Sequence, residues 1–254
     1  MLRPRIIPFL LLRNKGLVKT VNFKDGKYVG DPINAVKIFN EKEVDELTFL
    51  DIDASVNNSV PNYDLIKKIA KESKMPICYG GGIKNLDQAL RIIELGVEKI
   101  AISSAIFDNF DLLNQISSKV GIQSVVVVLD YKKVGFFNKN EIFVKNGSVK
   151  TGFKLLDFVN KIQESGMVGE LVINSIQNDG MMGGYDYETI DEVRNIFDGP
   201  MTVIGGAENL NDIKKLISKY PLIGAGAGSI FVFKGKYKAV LINYPNIESR
   251  LQLI

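Results

Sequence analysis

The chain carries one unit twice. Residues 76–107 read PICYGGGIKNLDQALRIIELGVEKIAISSAIF, and residues 200–231 read PMTVIGGAENLNDIKKLISKYPLIGAGAGSIF. At an offset of 124, Pro76 meets Pro200, Gly81-Gly82 meets Gly205-Gly206, Asn85-Leu86 meets Asn209-Leu210, and Ile106-Phe107 meets Ile230-Phe231. Each copy is a short apolar run, a glycine pair, a helical stretch and a second apolar run: strand, turn, helix, strand. A glycine pair at such a junction lets backbone N–H groups approach a ligand, and the helix N-terminus that follows favours anions.

The same alternation runs through all 254 residues. Strands are expected at 6–12, 46–51, 75–79, 99–103, 124–130, 170–175, 201–205 and 222–227. Helices are expected at 32–42, 62–73, 86–95, 112–120, 155–165, 187–197, 210–219 and around 236–243. Runs such as Val125-Val126-Val127-Val128-Leu129 are apolar throughout, as parallel strands covered on both faces require. Asp31-Pro32 suits a helix start, with Asp as N-cap and Pro at N1. Eight β/α pairs in a chain of about the 250 residues such a fold needs predict one (β/α)8 TIM barrel over 1–254, with a twofold half-barrel repeat. Two longer connections, 16–30 and 134–152, follow the first and fifth strands and read as hairpin excursions. Loops at strand C-termini are where barrels build active sites, so both are placed to cover a ligand, with decorative hairpins as the plain alternative.

Composition narrows the chemistry. Histidine is absent, which excludes Ser–His and Cys–His nucleophilic catalysis and histidine metal sites. Neither a metal nor a cofactor is called for. The one cysteine, Cys78, excludes an intrachain disulfide and reads as a small buried hydrophobe. A net charge of +3 with no tract of like charges gives a nucleic-acid partner little support and suits a phosphorylated small ligand. No apolar run approaches the roughly 20 residues of a membrane span, and 6–12 is too short for a signal peptide. The expected location is the cytoplasm.

Asp130 ends the longest apolar strand, where apolar neighbours would raise its pKa, and is the best general acid or base. An N-cap or loop salt bridge is the alternative. Asp51 and Asp53 lie two residues apart, which in a strand puts both on one face towards the barrel mouth. Asp179-Gly180, just past the sixth strand, is either a site or an ordinary turn. Gly81-Gly82 and Gly205-Gly206 are candidate phosphate cups, and two symmetric copies suggest a ligand with two anionic ends. Gly224–Ala227 continues into Gly228 and Ser229 beside the second cup, resembling the phosphate cup of barrel loops 7 and 8. Glycine for close packing is the alternative. Arg5, Glu46, Lys99 and Glu170 each precede or begin a strand, so they belong at the opposite, N-terminal mouth. Glu46 and Glu170 are related by the same 124 residues, and the four could close into a charged ring or act as a structural plug.

These motifs follow one another in a known order. RIIPFLL from Arg5, LVKTVNF with Lys19 and Asn22, Gly30-Asp31-Pro32, DELTFLDIDAS, PICYGGGIKN, VVVVLD, NDGMMGGYD and IGGAEN make the whole chain resemble the cyclase subunit (HisF) of imidazole glycerol phosphate synthase. The sister isomerase of histidine biosynthesis shares the half-barrel repeat but matches less well, because Arg5, Glu46, Lys99 and Glu170 match the charged gate of the HisF-type ammonia channel. The resemblance implies a glutaminase (HisH-like) docked on the N-terminal face, with Gln123 near that face, and ammonia passing the gate to react at the C-terminal face. It implies Lys19, Asp51, Gly81, Gly82, Ser103, Asp179, Gly180, Gly205, Gly206, Gly228 and Ser229 around a phosphorylated ligand. The family uses two aspartates as acid and base. Asp130 matches the second, and the first falls on Leu11. Ser103 stands for a phosphate-binding Asn, Gln177-Asn178 for an Asp-Arg pair, Met181 for a Thr and Val232 for a His. The substrate end is altered and the ammonia end intact.

Three functions follow as expectations. The first is a HisF-like paralogue that supplies ammonia to a sugar amidotransferase, which installs acetamidino groups on bacterial surface sugars. The second is the histidine-pathway cyclase, a lyase. It converts phosphoribulosyl-formimino aminoimidazole carboxamide ribonucleotide and ammonia to imidazole glycerol phosphate and the aminoimidazole carboxamide ribonucleotide. The third is a scaffold that only conducts ammonia.

Overall fold

The structure, a computed structural model, describes residues 4–136, 138–220 and 222–253. Eight parallel strands, Arg5–Arg13, Leu47–Asp51, Ile77–Gly80, Lys99–Ile102, Val125–Val134, Glu170–Ser175, Met201–Ile204 and Gly224–Ala227, pair in that order. The last pairs with the first, Arg5 opposite Gly224 and Pro8 opposite Ala227, so the barrel closes. The expected (β/α)8 fold is what the chain adopts.

The repeat survives as geometry. In the first half, Leu11 is in register with Leu50; in the second, Asp130 is in register with Asn174. Leu50 and Asn174 are 124 residues apart, so Leu11 holds the twofold-equivalent place of Asp130. The helices after the third and seventh strands, Leu86–Glu94 and Leu210–Lys219, begin alike. Asn85 accepts a hydrogen bond from the Gln88 N–H and Asn209 from the Asn211 N–H, each satisfying an otherwise unpaired helix N–H. Asp31 caps Pro32–Glu41 through the Asn34 N–H.

Strand residues alternate between two cores. One face packs on the helices. The other fills the barrel interior with Ile7, Phe9, Cys78, Ala101, Val126, Val128, Val172 and Ile204. Both excursions are antiparallel hairpins, Gly16–Val21 with Lys24–Gly30 and Lys139–Val144 with Val149–Lys154. The helix expected around 236–243 is absent: Phe233–Lys234 and Ala239–Val240 pair as a two-stranded ribbon. Gly235 and Lys238, with φ of +70° and +49°, turn the chain between them, and the closing helix is Ile247–Leu251. Among the described residues no helix is long and apolar enough to cross a membrane.

Candidate functional site

Arg5, Glu46, Lys99 and Glu170 meet at the N-terminal end of the barrel. Arg5 bonds Glu46 at 2.6 Å and Glu170 at 2.7 Å; Lys99 bonds Glu46 at 2.8 Å and Glu170 at 2.9 Å. Positive and negative charges alternate around a closed four-membered ring, and Thr202 adds a hydroxyl to Glu170 at 2.5 Å. Both glutamates are only 4% exposed. Burial alone would push the Glu170 carboxyl up, but the charges of Arg5 and Lys99 outweigh it and hold it at about 2. Burial works against the Arg5 and Lys99 charges too, and the two glutamates more than restore them.

Above the ring lies a small apolar void lined by Ile7, Phe9, Thr48, Cys78, Val126 and Val172, with Glu46 and Glu170 at its base. Burial pushes the Cys78 thiol pKa well up, so Cys78 stays neutral there.

The void leads towards the C-terminal mouth, where two cavities adjoin. One is lined by Phe9, Leu11, Lys19, Thr20, Phe23, Leu50, Asp130, Asn146, Asn174, Asp179, Gly205 and Gly228, among others. The other carries Asp51, Gly81, Gly82, Lys84, Ser103, Ser104 and Lys145, again with Asp130 and Asn146. Asp130 and Asn146 line both, so Asp130 stands where the two cavities adjoin. Its Oδ1 accepts a 2.7 Å bond from Asn174 Nδ2. Burial pushes its carboxyl up; the Asn174 bond works against this, the nearby Asp179 charge adds to it, and the result is about 7. That suits a proton-transfer group at neutral pH.

The first hairpin is tied over this mouth. Lys19, 6% exposed, donates to Asp179 at 2.8 Å, and Thr20 donates to the same carboxylate at 3.1 Å. Asn22 donates its side-chain amide to the Ile176 and Gln177 carbonyls. The second hairpin meets it: a Cβ at Gly147 would lie 3.3 Å from Phe23 and 3.2 Å from Ile176.

The glycine pairs have a steric cause. A Cβ on Gly81, at φ +120°, would sit 2.5 Å from the Asp51 carbonyl, and one on Gly205, at φ +90°, 2.7 Å from that of Ser175. Gly81, Gly82 and Ser103 line one cavity, Gly205 and Gly228 the other. Gly180, Gly206 and Ser229 line neither. Gly206 packs on the Gly184 carbonyl and Gly180 on that of Thr20. Asp53 does not share the mouth with Asp51, because the strand ends at Asp51 and the turn swings Asp53 onto Arg13 at 3.2 Å. Asp51 instead accepts from the Asp53 and Ala54 N–H groups, and burial raises its pKa. The sequence reading missed Asn174, Asn146 and Phe23. For Asn174 the signal was available: it is the polar residue that stands 124 positions after Leu50.

A charged ring at one end of a (β/α)8 barrel and an acid between two cavities at the other define the class: a half-barrel-repeat protein with a distinct charged or acidic cluster at each mouth. Residues 5–238 match the family described as histidine biosynthesis protein, and the chain belongs to this family, among its HisF-like members. A Vibrio vulnificus protein named "Putative imidazole glycerol phosphate synthase subunit hisF3" is 56% identical over 97% of this chain and 94% of its own length. A Pseudomonas aeruginosa protein, named in the same way as subunit hisF2, is 47% identical over 98% of both. The imidazole glycerol phosphate synthase subunit HisF of Natranaerobius thermophilus is 35% identical over 99% of this chain and 100% of its own.

Proposed function

We propose that this chain is the ammonia-accepting barrel of a glutamine amidotransferase. It pairs with a glutaminase across its N-terminal face and serves amidation of a surface sugar, together with a sugar amidotransferase, in place of imidazole ring closure. One observation carries the reading: the ring of Arg5, Glu46, Lys99 and Glu170 is complete, while the twofold partner of Asp130 is Leu11. Ring closure needs two proton-transfer groups, and a missing one typically costs about 10²–10⁴-fold. Ammonia delivery needs only a gate and an apolar path, because neutral ammonia crosses an apolar interior far more readily than ammonium. The cavities lined by Gly81-Gly82 and by Gly205 then hold an anionic ligand whose identity differs from the histidine-pathway substrate.

The second reading, the histidine-pathway cyclase, is favoured by Asp130 itself, whose pKa of about 7 at the mouth is that of a working acid or base. The third reading is a scaffold that only conducts ammonia. The purified chain, given ammonium and phosphoribulosyl-formimino aminoimidazole carboxamide ribonucleotide, is expected to turn over at least about 100-fold more slowly than a HisF subunit with aspartate at the Leu11 position. Turnover within tenfold refutes the paralogue reading and supports the cyclase. With the glutaminase present, Asp130→Asn is expected to abolish product while glutamine hydrolysis persists. Product formation untouched by that change would favour the scaffold.

A further inference from the structure

The two cavities at the C-terminal mouth offer a ligand different things. They are continuous, because Leu50, Ile52, Asp130 and Asn146 line both. The one beside Gly81-Gly82 is polar: Ser103, Ser104 and two exposed lysines, Lys84 and Lys145, line it. The one beside Gly205 is walled by Phe9, Leu11, Phe23, Leu50, Ile52 and Ile204. Leu11, Phe23, Leu50 and Ile52 are each only part-buried, so apolar surface stays open in a concave wall, where an apolar group displaces water most favourably. Phe23 is kept in that wall against backbone preference. At φ +65° it takes the second place of the two-residue turn between Val21 and Lys24, where glycine is ordinary.

The cavity beside Gly205 is also a poor anion site. Lys19 is the one cation among its described lining residues, and its amine is spent on the Thr20 carbonyl at 2.9 Å and on Asp179 at 2.8 Å. Asp130 and Asp179 line the same space, so a phosphate there would meet two acids and a cation already paired. The glycine pair offers little more, because Gly206 is turned onto Gly184, whose N–H donates to the Gly206 carbonyl at 2.9 Å. Two glycine pairs that look alike in the sequence thus open on different chemistry.

We propose that this mouth takes a ligand with one anionic end and one apolar end. The anion lies beside Gly82, Lys84 and Lys145, and the apolar group fills the slot formed by Leu11, Leu50, Ile52 and Ile204. Leu11 sets the preference: it holds the twofold-equivalent place of Asp130 and puts an apolar side chain where the other half-barrel has a carboxylate. The inference rests on the reading above, in which the ligand is not the histidine-pathway substrate, and it names the class of that ligand. Only one of the two glycine pairs then serves an anion.

The probes are straight-chain alkyl phosphates, from methyl to octyl, titrated calorimetrically into the full chain. Each methylene that enters the slot is expected to tighten binding about fourfold, until the slot is full and the gain stops. Butane-1,4-diol bisphosphate, with a charge at both ends, is expected to bind at least about tenfold more weakly than butyl phosphate, because its second charge loses water without gaining a free cation. Leu11→Asp is expected to cut the total gain along the series at least about tenfold. Leu11→Asn carries the same expectation should the aspartate variant not fold. The K84M/K145M protein is expected to bind every member more weakly by one common factor. A series that gains less than twofold from end to end, a bisphosphate that binds as tightly as butyl phosphate, or a gain unchanged in both Leu11 variants overturns the slot. Binding unchanged in K84M/K145M overturns the placing of the anion. The same preparation is given ammonium and the histidine-pathway substrate. A rising series with turnover within tenfold of a HisF subunit refutes the proposed function alone, and a flat series with slow turnover refutes only the slot.

Discussion

Asp130 is held against its own preference, and replacing it should show by how much. Its carboxyl stands at about 7 in the folded chain, against 3.8 ordinarily. A carboxyl whose folded pKa lies above its unfolded one binds its proton more tightly in the native state. The associated stability is fully present below pH 3.8 and is lost as pH rises through about 7. Each tenfold difference in proton affinity is about 1.4 kcal/mol, so the rise corresponds to about 4 kcal/mol of native-state cost at pH 8 or above. Asp130 is part-exposed to its cavity, and water there screens a share, which leaves about 2–4 kcal/mol. Asp130→Asn removes the charge but keeps the shape and an oxygen for Asn174 Nδ2. The variant should therefore be more stable than the parent by about 2–4 kcal/mol at pH 8.5, and the gap should close as pH falls to 4. Urea denaturation of both proteins from pH 4 to pH 8.5 measures it, with slopes compared to confirm that the denatured states match. A gap that stays constant with pH would show that burial does not set the Asp130 charge. A loss of stability at pH 8.5 would show that the carboxylate is well solvated or paired, and the argument for a catalytic acid would fall with it.

Glu170→Gln should destabilise the chain by about 3–5 kcal/mol at pH 7 in urea denaturation, because Arg5 and Lys99 lose a buried partner. Glu170 is depressed from 4.5 to about 2, so its contribution is present above pH 4.5 and lost as pH falls through 2, and the variant should lack that acid-sensitive component. Gly81→Ala should cost at least about 3 kcal/mol, since it combines φ +120° with a carbonyl 2.5 Å from the new methyl group. Gly152→Ala, at φ +85° in open space, should cost only about 1–2 kcal/mol, and equal costs would refute the close-approach explanation.

The barrel was legible because its signal is redundant. Eight apolar runs and a 124-residue echo each point to parallel strands covered on both faces, and closure follows from their number. The charged ring was legible for a different reason: a charge at the first residue of a strand has one end of the barrel to go to, and Glu46 and Glu170 mark that end twice. What escaped is contact between distant loops. Nothing local in Lys19 or Asp179 announces a 2.8 Å pair across 160 residues. Asp53 was misplaced because period-two reasoning was carried two residues past the strand end, which is Asp51. The helix around 236–243 failed on turn chemistry, since Lys238 takes a left-handed conformation and lets a ribbon form where composition allowed either. Asn174 was passed over because one polar residue in an apolar run looks like noise until the register sets it beside Asp130.

The same register shows why restoring one residue should not restore the site. The second half-barrel pairs Asp130 with Asn174, a carboxylate with its donor; the first pairs Leu11 with Leu50, two apolar side chains in equivalent places. Leu11→Asp alone places a carboxylate in a cavity it shares with Leu50, Phe9 and Ile204, where Lys19 and Thr20 are already bonded to Asp179, and such a charge is costly. Adding Leu50→Asn supplies the missing donor in the geometry that Asn174 already demonstrates at 2.7 Å. A double-mutant cycle above pH 8 should then give a favourable coupling of about 1.5–3 kcal/mol between the two changes, the range for a hydrogen bond to a charged group between neighbours. Ammonia-dependent turnover of the histidine-pathway substrate should rise more in the L11D/L50N protein than in L11D alone. Strict additivity in stability would show that the leucine pair is not the first half's counterpart of the polar one, and the twofold argument that ranks Leu11 above the other substitutions at the mouth would fail.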